Sequence, residues 1–477
     1  MSNRAATLDL PDDDLRALFE GALGLAQREI AAAQTGPIYS EPPSAERFER
    51  LLDDSRELPQ SGESVAELLE ACGALLEAGR RTSPAFFGYV LSPASPVGIA
   101  ADLLASAANQ NVTAWRSSPA ATEVEHLVLC WLGELVGFTS DASGVLVSGG
   151  SHANLTALLV AMHARDRGDV DRRTLTAHIS SEAHFSSAKA AGIIGVTTRA
   201  AAVDDDRRID VERLRAAIAQ DRADGLEPFC IVASAGTTGT GAIDPLDELA
   251  TLAADAGLWL HVDGAYGALA AADPASRPLF AGTERADSLA LDAHKWLAVP
   301  LDCGALLVRD PAAAARAFGS TAGDYVRVMA DDDREAFAWW GHGIELSRRW
   351  RALKIWMTLR YYGARRIAAA VAEDVALAAY MAELVEAADD LELLSGPRLS
   401  ICCFRHLVPG ATEAELDAHN ERLLVTVQRD GRAYLSNLTV EGHFAMRACI
   451  TNFRTTRADI ERTLAVVREL AAAHERR

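Results

Sequence analysis

The chain has 477 residues, of which 49% are hydrophobic, 24% are charged and only 6% are aromatic, a composition typical of soluble globular proteins. Its 46 Lys and Arg residues against 67 Asp and Glu residues give a formal net charge of −21 at pH 7, which argues against nucleic acid or an anionic membrane as a partner. The length indicates two or three structural units, and small molecules are the expected partners.

Cysteine usage and the amino terminus predict a cytoplasmic protein. The seven cysteines are odd in number and contain no C-x-x-C pair, so neither a disulfide framework nor a zinc ribbon is expected. The first ten residues lack the apolar region of a secretory signal. No apolar run reaches the roughly 18 residues that a membrane-spanning helix requires.

The amino-terminal part of the chain is predicted to be helical. Residues 7 to about 80 are acidic and rich in Ala and Leu, with a turn-forming interruption at Thr35–Ser44. These helices carry no obvious chemistry, so we expect them to serve packing or subunit contact. The following segment, Ser83–Gly98, is apolar and punctuated by Pro and Gly, and we expect it to be buried.

Short apolar runs alternate with helix-length segments in the middle of the chain. The predicted strands are Val145–Val147, Phe229–Ser234, Leu258–Val262, Ser288–Leu291 and Gly304–Val308, and the predicted helices include Ala153–Arg165 and Leu246–Ala256. Because these strands lack polar alternation, they indicate a mostly parallel sheet covered on both faces. This part of the chain is predicted to be an α/β domain.

Beyond about Gly341 the pattern changes to that of a smaller α+β domain. The predicted helices are Leu346–Leu359, Ile367–Ala388 and Arg457–His474, and the predicted strands are Leu399–Phe404 and Phe444–Ile450. We therefore divide the chain into a helical segment (1–92), a large α/β domain (93–354) and a small α+β domain (355–477).

The segment after the first predicted strand is a candidate phosphate site, because ligands collect beyond the carboxyl ends of parallel strands. Ser148-Gly-Gly-Ser151 leads from the strand into a helix, and such a Gly- and Ser-rich helix start suits a phosphate. No Lys follows it, so it is not a P-loop. The segment Gly236–Asp244, after the second predicted strand, does not match the dinucleotide-binding pattern G-x-G-x-x-G.

Asp263 and Lys295 each follow a predicted strand. Taken singly, the aspartate is explained as a helix cap and the lysine as a surface residue, and His261 with Asp263 permits a metal ion without demanding one. Together with the candidate phosphate site they match pyridoxal phosphate, which needs a lysine for a Schiff base and a carboxylate that keeps the pyridine nitrogen protonated. His184 is the candidate for a ring stacked on the cofactor.

With these residues the sequence resembles the group II pyridoxal-phosphate decarboxylases, which include the aromatic-L-amino-acid, glutamate and cysteine-sulfinate decarboxylases. The resemblance extends from Ser83 to about Thr456. Its motifs are Ser83–Tyr89, Ser117–Glu125, Ser148–Ser151, Glu182–His184, His261–Tyr266, Asp292–Leu297, Leu301–Gly304 and Leu346–Lys354. It implies the PLP fold type I, which is aspartate-aminotransferase-like, and a homodimer with the active site at the subunit interface.

The resemblance also implies roles for single residues. Lys295 would carry the cofactor as a Schiff base, Asp263 would pair with its pyridinium nitrogen, and His184 would stack on its ring. The further cofactor-binding positions are Gly150, Ser151, Thr238 and His294. Tyr325 matches the tyrosine of the family's mobile catalytic loop, which protonates Cα after carbon dioxide leaves. One departure is His152, which stands where many relatives have an acidic or neutral residue.

The expected substrate is an aromatic L-amino acid such as tyrosine, DOPA, phenylalanine or tryptophan. Phe86, Tyr89 and Trp115 lie in segments that line the substrate pocket in relatives, and Ser347 favours a phenolic ring. A small acidic substrate (glutamate, aspartate, cysteine sulfinate) or diaminobutyrate stays open, because one buried arginine would redirect specificity. Arg116 and Arg454 are the candidates for that arginine.

The sequence therefore predicts a pyridoxal-phosphate-dependent decarboxylase that releases carbon dioxide and an amine. The alternatives are an aminotransferase or an aldehyde-forming oxidase on the same platform, a catalytically silent homologue, and a metal hydrolase that uses His261 and Asp263. The presence of both Lys295 and Asp263 argues against a silent homologue. Tyr325 favours simple decarboxylation, since relatives with Phe at that position form aldehydes.

Overall fold

The structure is a computed structural model that describes residues 8–40, 44–52, 58–164, 171–319 and 333–475. The chain forms two compact units. The first comprises Met1–Gly88, Arg405–Met446 and Arg454–Arg477, and the second comprises Tyr89–Phe404 and Arg447–Phe453. The predicted divisions after residues 92 and 354 stay predictions.

A seven-stranded sheet forms the centre of the second unit. Its strands are β1 (Ser143–Val147), β2 (Leu175–Ser180), β3 (Thr197–Ala201), β4 (Glu227–Ser234), β5 (Trp259–Asp263), β6 (Ser288–Asp292) and β7 (Gly304–Val308). Their order is β1-β7-β6-β5-β4-β2-β3. Strands β2 to β6 pair in parallel, whereas β7 is antiparallel to both of its neighbours. The prediction of a mostly parallel α/β sheet is confirmed.

Every strand predicted for this sheet forms, with ends that differ by two residues or fewer. Strands β5, β6 and β7 are buried at every position, because their apolar side chains meet packed elements on both faces of the sheet. Strand β3 was not predicted. Its sequence, Thr-Thr-Arg-Ala-Ala, has no apolar run, and four of its five residues are exposed at the edge of the sheet.

Nine helices lie in the described part of the second unit. They are α4 (Pro96–Ala108), α5 (Pro119–Val136), α6 (Gly150–Ala164), α7 (Phe185–Ile194), α8 (Val211–Ala223), α9 (Leu246–Ala256), α10 (Pro311–Phe318), α11 (Asp333–Ala336) and α12 (Ala352–Glu386). Helix α9 has its predicted bounds, and α6 begins three residues earlier than predicted. Helices α4, α5 and α10 begin with proline, whose fixed φ suits the first helical position.

Helix α12 corresponds to the two predicted helices Leu346–Leu359 and Ile367–Ala388. Its helical geometry breaks at Gly363, where φ is 73° and ψ is 156°. The predicted start at Leu346 was wrong, because the helix begins at Ala352. The guanidinium of Arg348 donates to the carbonyl oxygens of Val112 and Leu146, at 3.0 Å each, and these contacts hold the residues before Ala352 in a non-helical path.

A smaller four-stranded antiparallel sheet lies near the carboxyl end of the chain. Its strands are β8 (Leu391–Arg398), β9 (Ile401–His406), β10 (Ser436–Val440) and β11 (His443–Cys449), in the order β10-β11-β9-β8. Strands β9 and β11 confirm two predicted strands. Strand β10, Ser-Asn-Leu-Thr-Val, was not predicted, because only its last residue is buried and its sequence is largely polar.

The described helices of the first unit are α1 (Asp12–Thr35), α2 (Ala45–Leu52), α3 (Val65–Ala78), α13 (Glu413–Asp430) and α14 (Arg457–Glu475). Helix α1 ends at the predicted turn, and a capping box of Ser64 and Glu67 begins α3. Helices α1 and α3 leave large apolar side chains exposed, which we call the amino-terminal apolar face: Leu15, Phe19, Leu23, Leu68, Leu75 and Leu76.

The segment Ser83–Gly98 is mostly buried, as predicted, although Tyr89 is 52% exposed and has a φ of 59°. All seven cysteines are free thiols, and five of them are buried. Among the described residues, no helix combines the length and the apolar character that crossing a membrane demands.

Candidate active site

A cavity of about 390 Å³ opens in the second unit, beyond the carboxyl ends of β1, β2, β4, β5 and β6. Its lining residues are Ser148, Gly149, Gly150, Ser151, His152, His184, Ser186, Ser234, Gly236, Thr237, Thr238, Asp263, Ala265, Tyr266, Asp292, His294, Lys295 and Leu301. Parallel strands bring the segments that follow them to one edge of the sheet. The structure thus brings together all seven predicted cofactor-binding residues.

Asp263, the last residue of β5, is a rigidly held carboxylate in this cavity. It is 7% exposed. Asn154 Nδ2 donates to its Oδ2 at 2.8 Å, and the backbone N–H of Ala265 donates to its Oδ1 at 3.1 Å. With both oxygens bonded, the carboxylate has a fixed orientation at the end of its strand.

His261 supports this carboxylate from two residues earlier on the same strand. Its Nε2 lies 3.0 Å from Asn154 Oδ1 and its Nδ1 lies 2.9 Å from Ser288 Oγ. Complete burial lowers the pKa of His261 to about 4, although the Asp263 carboxylate opposes the shift, so the ring is neutral at pH 7. The described residues contain no group of three metal-ligating side chains around the His261–Asp263 pair or elsewhere.

Lys295 lies on the turn after β6, and its Nζ contacts Asp292 Oδ2 at 3.1 Å. The chain has only three lysines. Lys189 is exposed on α7, and Lys354 is buried with its Nζ 2.9 Å from the carbonyl oxygen of Pro300. Lys295 is therefore the one lysine that lines the cavity.

Asp292 is a second buried carboxylate in the cavity. Its Oδ2 contacts Lys295, and among the described residues its Oδ1 accepts no hydrogen bond. His294 Nε2 lies 3.6 Å from the same Oδ2. The two carboxylates therefore differ: each oxygen of Asp263 accepts a hydrogen bond from a neutral donor, whereas Asp292 contacts the lysine.

His184 caps the start of α7, which places its ring at the cavity. Its Nδ1 accepts a hydrogen bond from the backbone N–H of Ser186 at 3.4 Å, and Ser186 Oγ lies 2.8 Å from the same nitrogen. Burial lowers the pKa of His184, while the charges of Asp263, Lys295 and Asp292 act on it in opposing directions. Asn154 Nδ2 also donates to Ser186 Oγ at 3.0 Å, so one amide links His184 and Asp263.

The start of α6 forms the anion-binding wall of the cavity. The first N–H groups of a helix have no partner within it, and α6 begins at Gly150. A Cβ at Gly150 would lie 2.8 Å from the Ala265 side chain, and a Cβ at Gly149 would lie 3.2 Å from His294. A side chain at either position would therefore crowd the residues that surround the helix start.

Two histidines stand beside this wall. His294 Nδ1 lies 2.9 Å from the carbonyl oxygen of Cys303, and burial lowers its pKa. His152, the departure from the family pattern, lines the cavity with its Nδ1 3.4 Å from Ser148 Oγ. Burial lowers the pKa of His152 as well, against the opposing charge of Glu345. Both rings are therefore biased towards their neutral forms.

The donor set of the cavity fits pyridoxal 5′-phosphate. The helix start at Gly150 and Ser151 suits its phosphate, Lys295 suits its aldehyde, and Asp263 suits its ring nitrogen. The unpartnered Oδ1 of Asp292 also fits a polar ligand in the cavity.

The described residues around the cavity do not include the predicted substrate residues. Phe86 is buried in the first unit, where its ring stacks on Tyr434 with a centroid distance of 4.9 Å. Trp115 donates from Nε1 to Glu123 at 2.7 Å, and Ser347 and Tyr89 are exposed. A substrate-binding role for these four residues stays a prediction.

The other predicted residues are Arg116 and Arg454 for substrate binding and Tyr325 for proton donation. Arg116, offered as a substrate arginine, forms an ion pair with Glu335 at 2.8 Å. Arg454 belongs to the first unit and is half-buried. Tyr325, the predicted proton donor, lies outside the described residues, so its role also stays a prediction.

Sequence reasoning missed Asn154, Ser186 and Asp292. A signal was present for each of them. Asn154 lies one helical turn after Gly150, Ser186 lies two residues after His184, and Asp292 directly follows the predicted strand Ser288–Leu291. Polar residues one turn into the phosphate-site helix were not weighed as site residues.

The chain is similar to known proteins of one family. Residues 46–407 match the pyridoxal-dependent decarboxylase conserved domain. The chain is 32% identical over 470 residues to an aromatic-L-amino-acid decarboxylase of Bacillus atrophaeus, covering 97% of each chain. It is 31% identical to a phenylacetaldehyde synthase of Petunia hybrida, covering 89% of this chain and 88% of the relative. The crystal structure of Oryza sativa TDC with PLP and tryptamine superposes with a TM-score of 0.91 at 28% identity, covering 98% of this chain and all of that one.

Proposed function

The chain belongs to the pyridoxal-dependent decarboxylase family, and from that premise we propose that it converts an aromatic L-amino acid to carbon dioxide and the corresponding amine. The observation that carries the proposal is a single cavity that is lined by one lysine, Lys295, by the fixed carboxylate of Asp263 and by the anion-binding start of α6. Relatives named as aromatic-L-amino-acid, tyrosine and tryptophan decarboxylases support the substrate class.

Pyridoxal phosphate, when bound, supplies a conjugated ring that takes up the electron pair left at Cα as carbon dioxide departs. Asp263 would keep a proton on the ring nitrogen of the bound cofactor, because a buried carboxylate beside that nitrogen favours its charged form. Asn154 holds the carboxylate in place. Lys295 would hold the cofactor through Nζ.

His184 would orient the ring of the cofactor, and the first turn of α6 would bind its phosphate. The imidazole of His184 is fixed through Ser186 and Asn154, so it offers a flat surface of defined orientation. The N–H groups at Gly150 and Ser151 and the positive end of the helix dipole favour a phosphate. Thr238 and His294 complete the binding set from two further walls of the cavity.

The release of an amine in place of an aldehyde depends on a proton reaching Cα. By resemblance to the family, Tyr325 donates that proton from its hydroxyl. Because some relatives are named as aldehyde synthases, release of an aldehyde is the first alternative. A decarboxylase of a small acidic or diamino acid is the second alternative.

We also propose a cytoplasmic homodimer. The amino-terminal apolar face exposes six large side chains on α1 and α3, and a second subunit is the partner that would bury such a surface. The free thiols of all seven cysteines support a reducing compartment.

Borohydride reduction of the cofactor-loaded protein, followed by peptide mapping, tests the attachment site. We expect the label on Lys295 and on neither Lys189 nor Lys354. The Lys295→Ala protein should lose the visible absorption of the bound cofactor and all turnover, whereas the matched Lys189→Ala protein should keep both. A label on another lysine, or none, contradicts the proposal.

Product analysis tests the reaction and the substrate class. The loaded enzyme is incubated with each of the twenty amino acids and with DOPA, and carbon dioxide, amine and hydrogen peroxide are measured. Equal amounts of carbon dioxide and amine without peroxide, from aromatic substrates, are expected. Peroxide and aldehyde would identify an aldehyde synthase, and turnover of glutamate or aspartate alone would overturn the substrate class.

A further inference from the structure

Trp296, the residue after Lys295, is anchored by a buried carboxyl group that the proposed reaction does not use. Its Nε1 donates to Asp374 Oδ2 on α12 at 2.7 Å. The exposed fractions of Trp296 and Asp374 are 5% and 3%. The bond is therefore shielded from water, where a hydrogen bond has its greatest effect on geometry.

Trp296 also contacts a wall of the cofactor cavity. Its ring stacks on that of Tyr266, with centroids 5.1 Å apart and planes at 26°. Tyr266 lines the cavity, and its hydroxyl lies 2.8 Å from Ser400 Oγ. Any rotation of the indole therefore displaces either the lysine-bearing turn or the ring that packs against it.

The carboxyl group of Asp374 is costly at this place. Burial raises the pKa of Asp374 to about 8, the charge of Glu373 acts in the same direction, and the bond from Trp296 offsets only part of the rise. An apolar side chain of similar volume would avoid the desolvation penalty. Such an apolar side chain could not accept a hydrogen bond from the indole N–H of Trp296.

The turn that presents Lys295 is held by a small set of contacts. The backbone N–H of Lys295 donates to the carbonyl oxygen of Asp292, and that of Ala298 donates to the carbonyl oxygen of Lys295, at 3.1 Å each. Trp296 and Asp374 both line a second cavity, of about 340 Å³. Packing on the side of that cavity therefore does not replace the hydrogen bond.

We propose that Asp374 is a positioning residue, which accepts the hydrogen bond of Trp296 Nε1 and thereby fixes the orientation in which the turn presents Lys295 to the cofactor cavity. The inference rests on the proposed function in one respect, namely that Lys295 carries the cofactor.

Substitutions at both ends of the bond test the proposal in the cofactor-loaded protein. Asp374→Leu removes the acceptor, and Trp296→Phe removes the donor while keeping a ring against Tyr266. Both should release the cofactor about tenfold faster and lose part of its visible circular dichroism, because a lost buried hydrogen bond is worth about a factor of ten. Asp374→Asn should stay within about twofold of the parent, since the amide oxygen still accepts.

Two further proteins complete the design. Glu373→Gln, which removes the neighbouring charge but not the bond, is the matched control and should behave as the parent does. The double variant Trp296→Phe/Asp374→Leu should be no worse than either single variant, because all three lack the same bond. A purely structural role for Asp374 would lower the thermal midpoint without changing the circular dichroism of the bound cofactor.

Several outcomes would overturn the proposal: unchanged release and circular dichroism in Asp374→Leu, additive losses in the double variant, or a loss in Asp374→Asn as large as that in Asp374→Leu. Should Asp374→Leu fail to fold, Trp296→Phe and Asp374→Asn still decide, because opposite results are expected of them. Failure of the proposed function is recognised separately, by a borohydride label on a lysine other than Lys295.

Discussion

At the scale of single residues, a chain of hydrogen bonds along the central strands β5 and β6 determines how Asp263 is presented. Trp259 Nε1 donates to Ser288 Oγ at 2.9 Å, and the serine hydroxyl in turn donates to His261 Nδ1. His261 Nε2 then donates to Asn154 Oδ1, whose amide donates to the carboxylate. This order of donors assigns one neutral tautomer to His261, in agreement with its lowered pKa.

The first prediction concerns pH. Because the folded protein lowers the pKa of His261 from an ordinary value near 6.5 to about 4, the unfolded chain alone binds a proton there between these values. The stability that His261 contributes is present above about pH 6.5 and is lost as the pH falls towards 4, by roughly 3 kcal/mol at most. The thermal midpoints of the parent and of His261→Gln should therefore converge as the pH is lowered across this window.

His163→Gln, which replaces a half-buried histidine on α6 outside the cavity, is the control for that comparison. The raised pKa values of Asp244 and Asp374 change stability with pH in the opposite direction. Both groups are present in every protein compared, so their effects cancel in the difference between thermal midpoints. The difference between the thermal midpoints of the parent and of His261→Gln could instead stay constant from pH 7 to pH 4. That result would show that the folded protein does not exclude a proton from His261.

At the scale of elements, the start of α6 joins helix geometry to ligand binding. Its first residue, Gly150, lies against the segment after β5, and a Cβ there would meet the Ala265 side chain at 2.8 Å and Asp292 Oδ2 at 3.3 Å. Such a Cβ must displace the helix start or the segment after β5. The start of α6 therefore requires glycine because it packs against the segment that follows β5.

The second prediction follows from that contact. Gly150→Ala should weaken the binding of pyridoxal phosphate about tenfold, because the helix start moves away from its place at the cavity. Gly192→Ala on α7 is the matched control, since a Cβ there meets no atom within 4 Å. It should leave cofactor affinity unchanged and raise stability by about 0.5–1 kcal/mol. Titration of each cofactor-free variant with pyridoxal phosphate, followed by visible absorption, measures its affinity for the cofactor. Equal affinities of Gly150→Ala and Gly192→Ala would refute the steric argument.

The elements also show how far local pattern reaches. The buried strands β5, β6 and β7 were predictable because apolar side chains are required on both of their faces. Strand β3 was not, because an edge strand with four exposed residues has no apolar signal. The late start of α12 was missed because the long-range contacts of Arg348, to Val112 and Leu146, override the helical pattern of its neighbours.

At the scale of the whole molecule, the net charge and the amino-terminal apolar face have opposite effects on association. A net charge of −21 opposes non-specific association. The exposed apolar side chains of α1 and α3 nevertheless favour association at one surface. The proposed dimer would satisfy both, because it would bury that surface and leave the charged remainder in water.

The third prediction tests this dimer. Replacing Leu15, Phe19 and Leu23 of α1 together by Gln should convert a dimer into a monomer, because the exposed apolar area falls while the fold of the second unit keeps its own core. Multi-angle light scattering gives the mass directly. Leu279→Gln, at an exposed position of the second unit, is the control and should leave the dimer intact. A monomeric parent, or a triple variant that remains dimeric, would contradict the assignment of this face.

The sequence by itself determined the fold class, the family and the seven predicted cofactor-binding residues that line the cavity, because each of these is encoded in short motifs at the ends of apolar strands. The tertiary structure alone decided that Asp292 faces Lys295, that His261 serves Asp263 through Asn154 in place of a metal, and that Asp374 holds Trp296. Asn154 and Asp263 are 109 residues apart, and Trp296 and Asp374 are 78 residues apart. Hydrogen bonds over such separations depend on how strands and helices are brought together, and no local pattern in the chain encodes them.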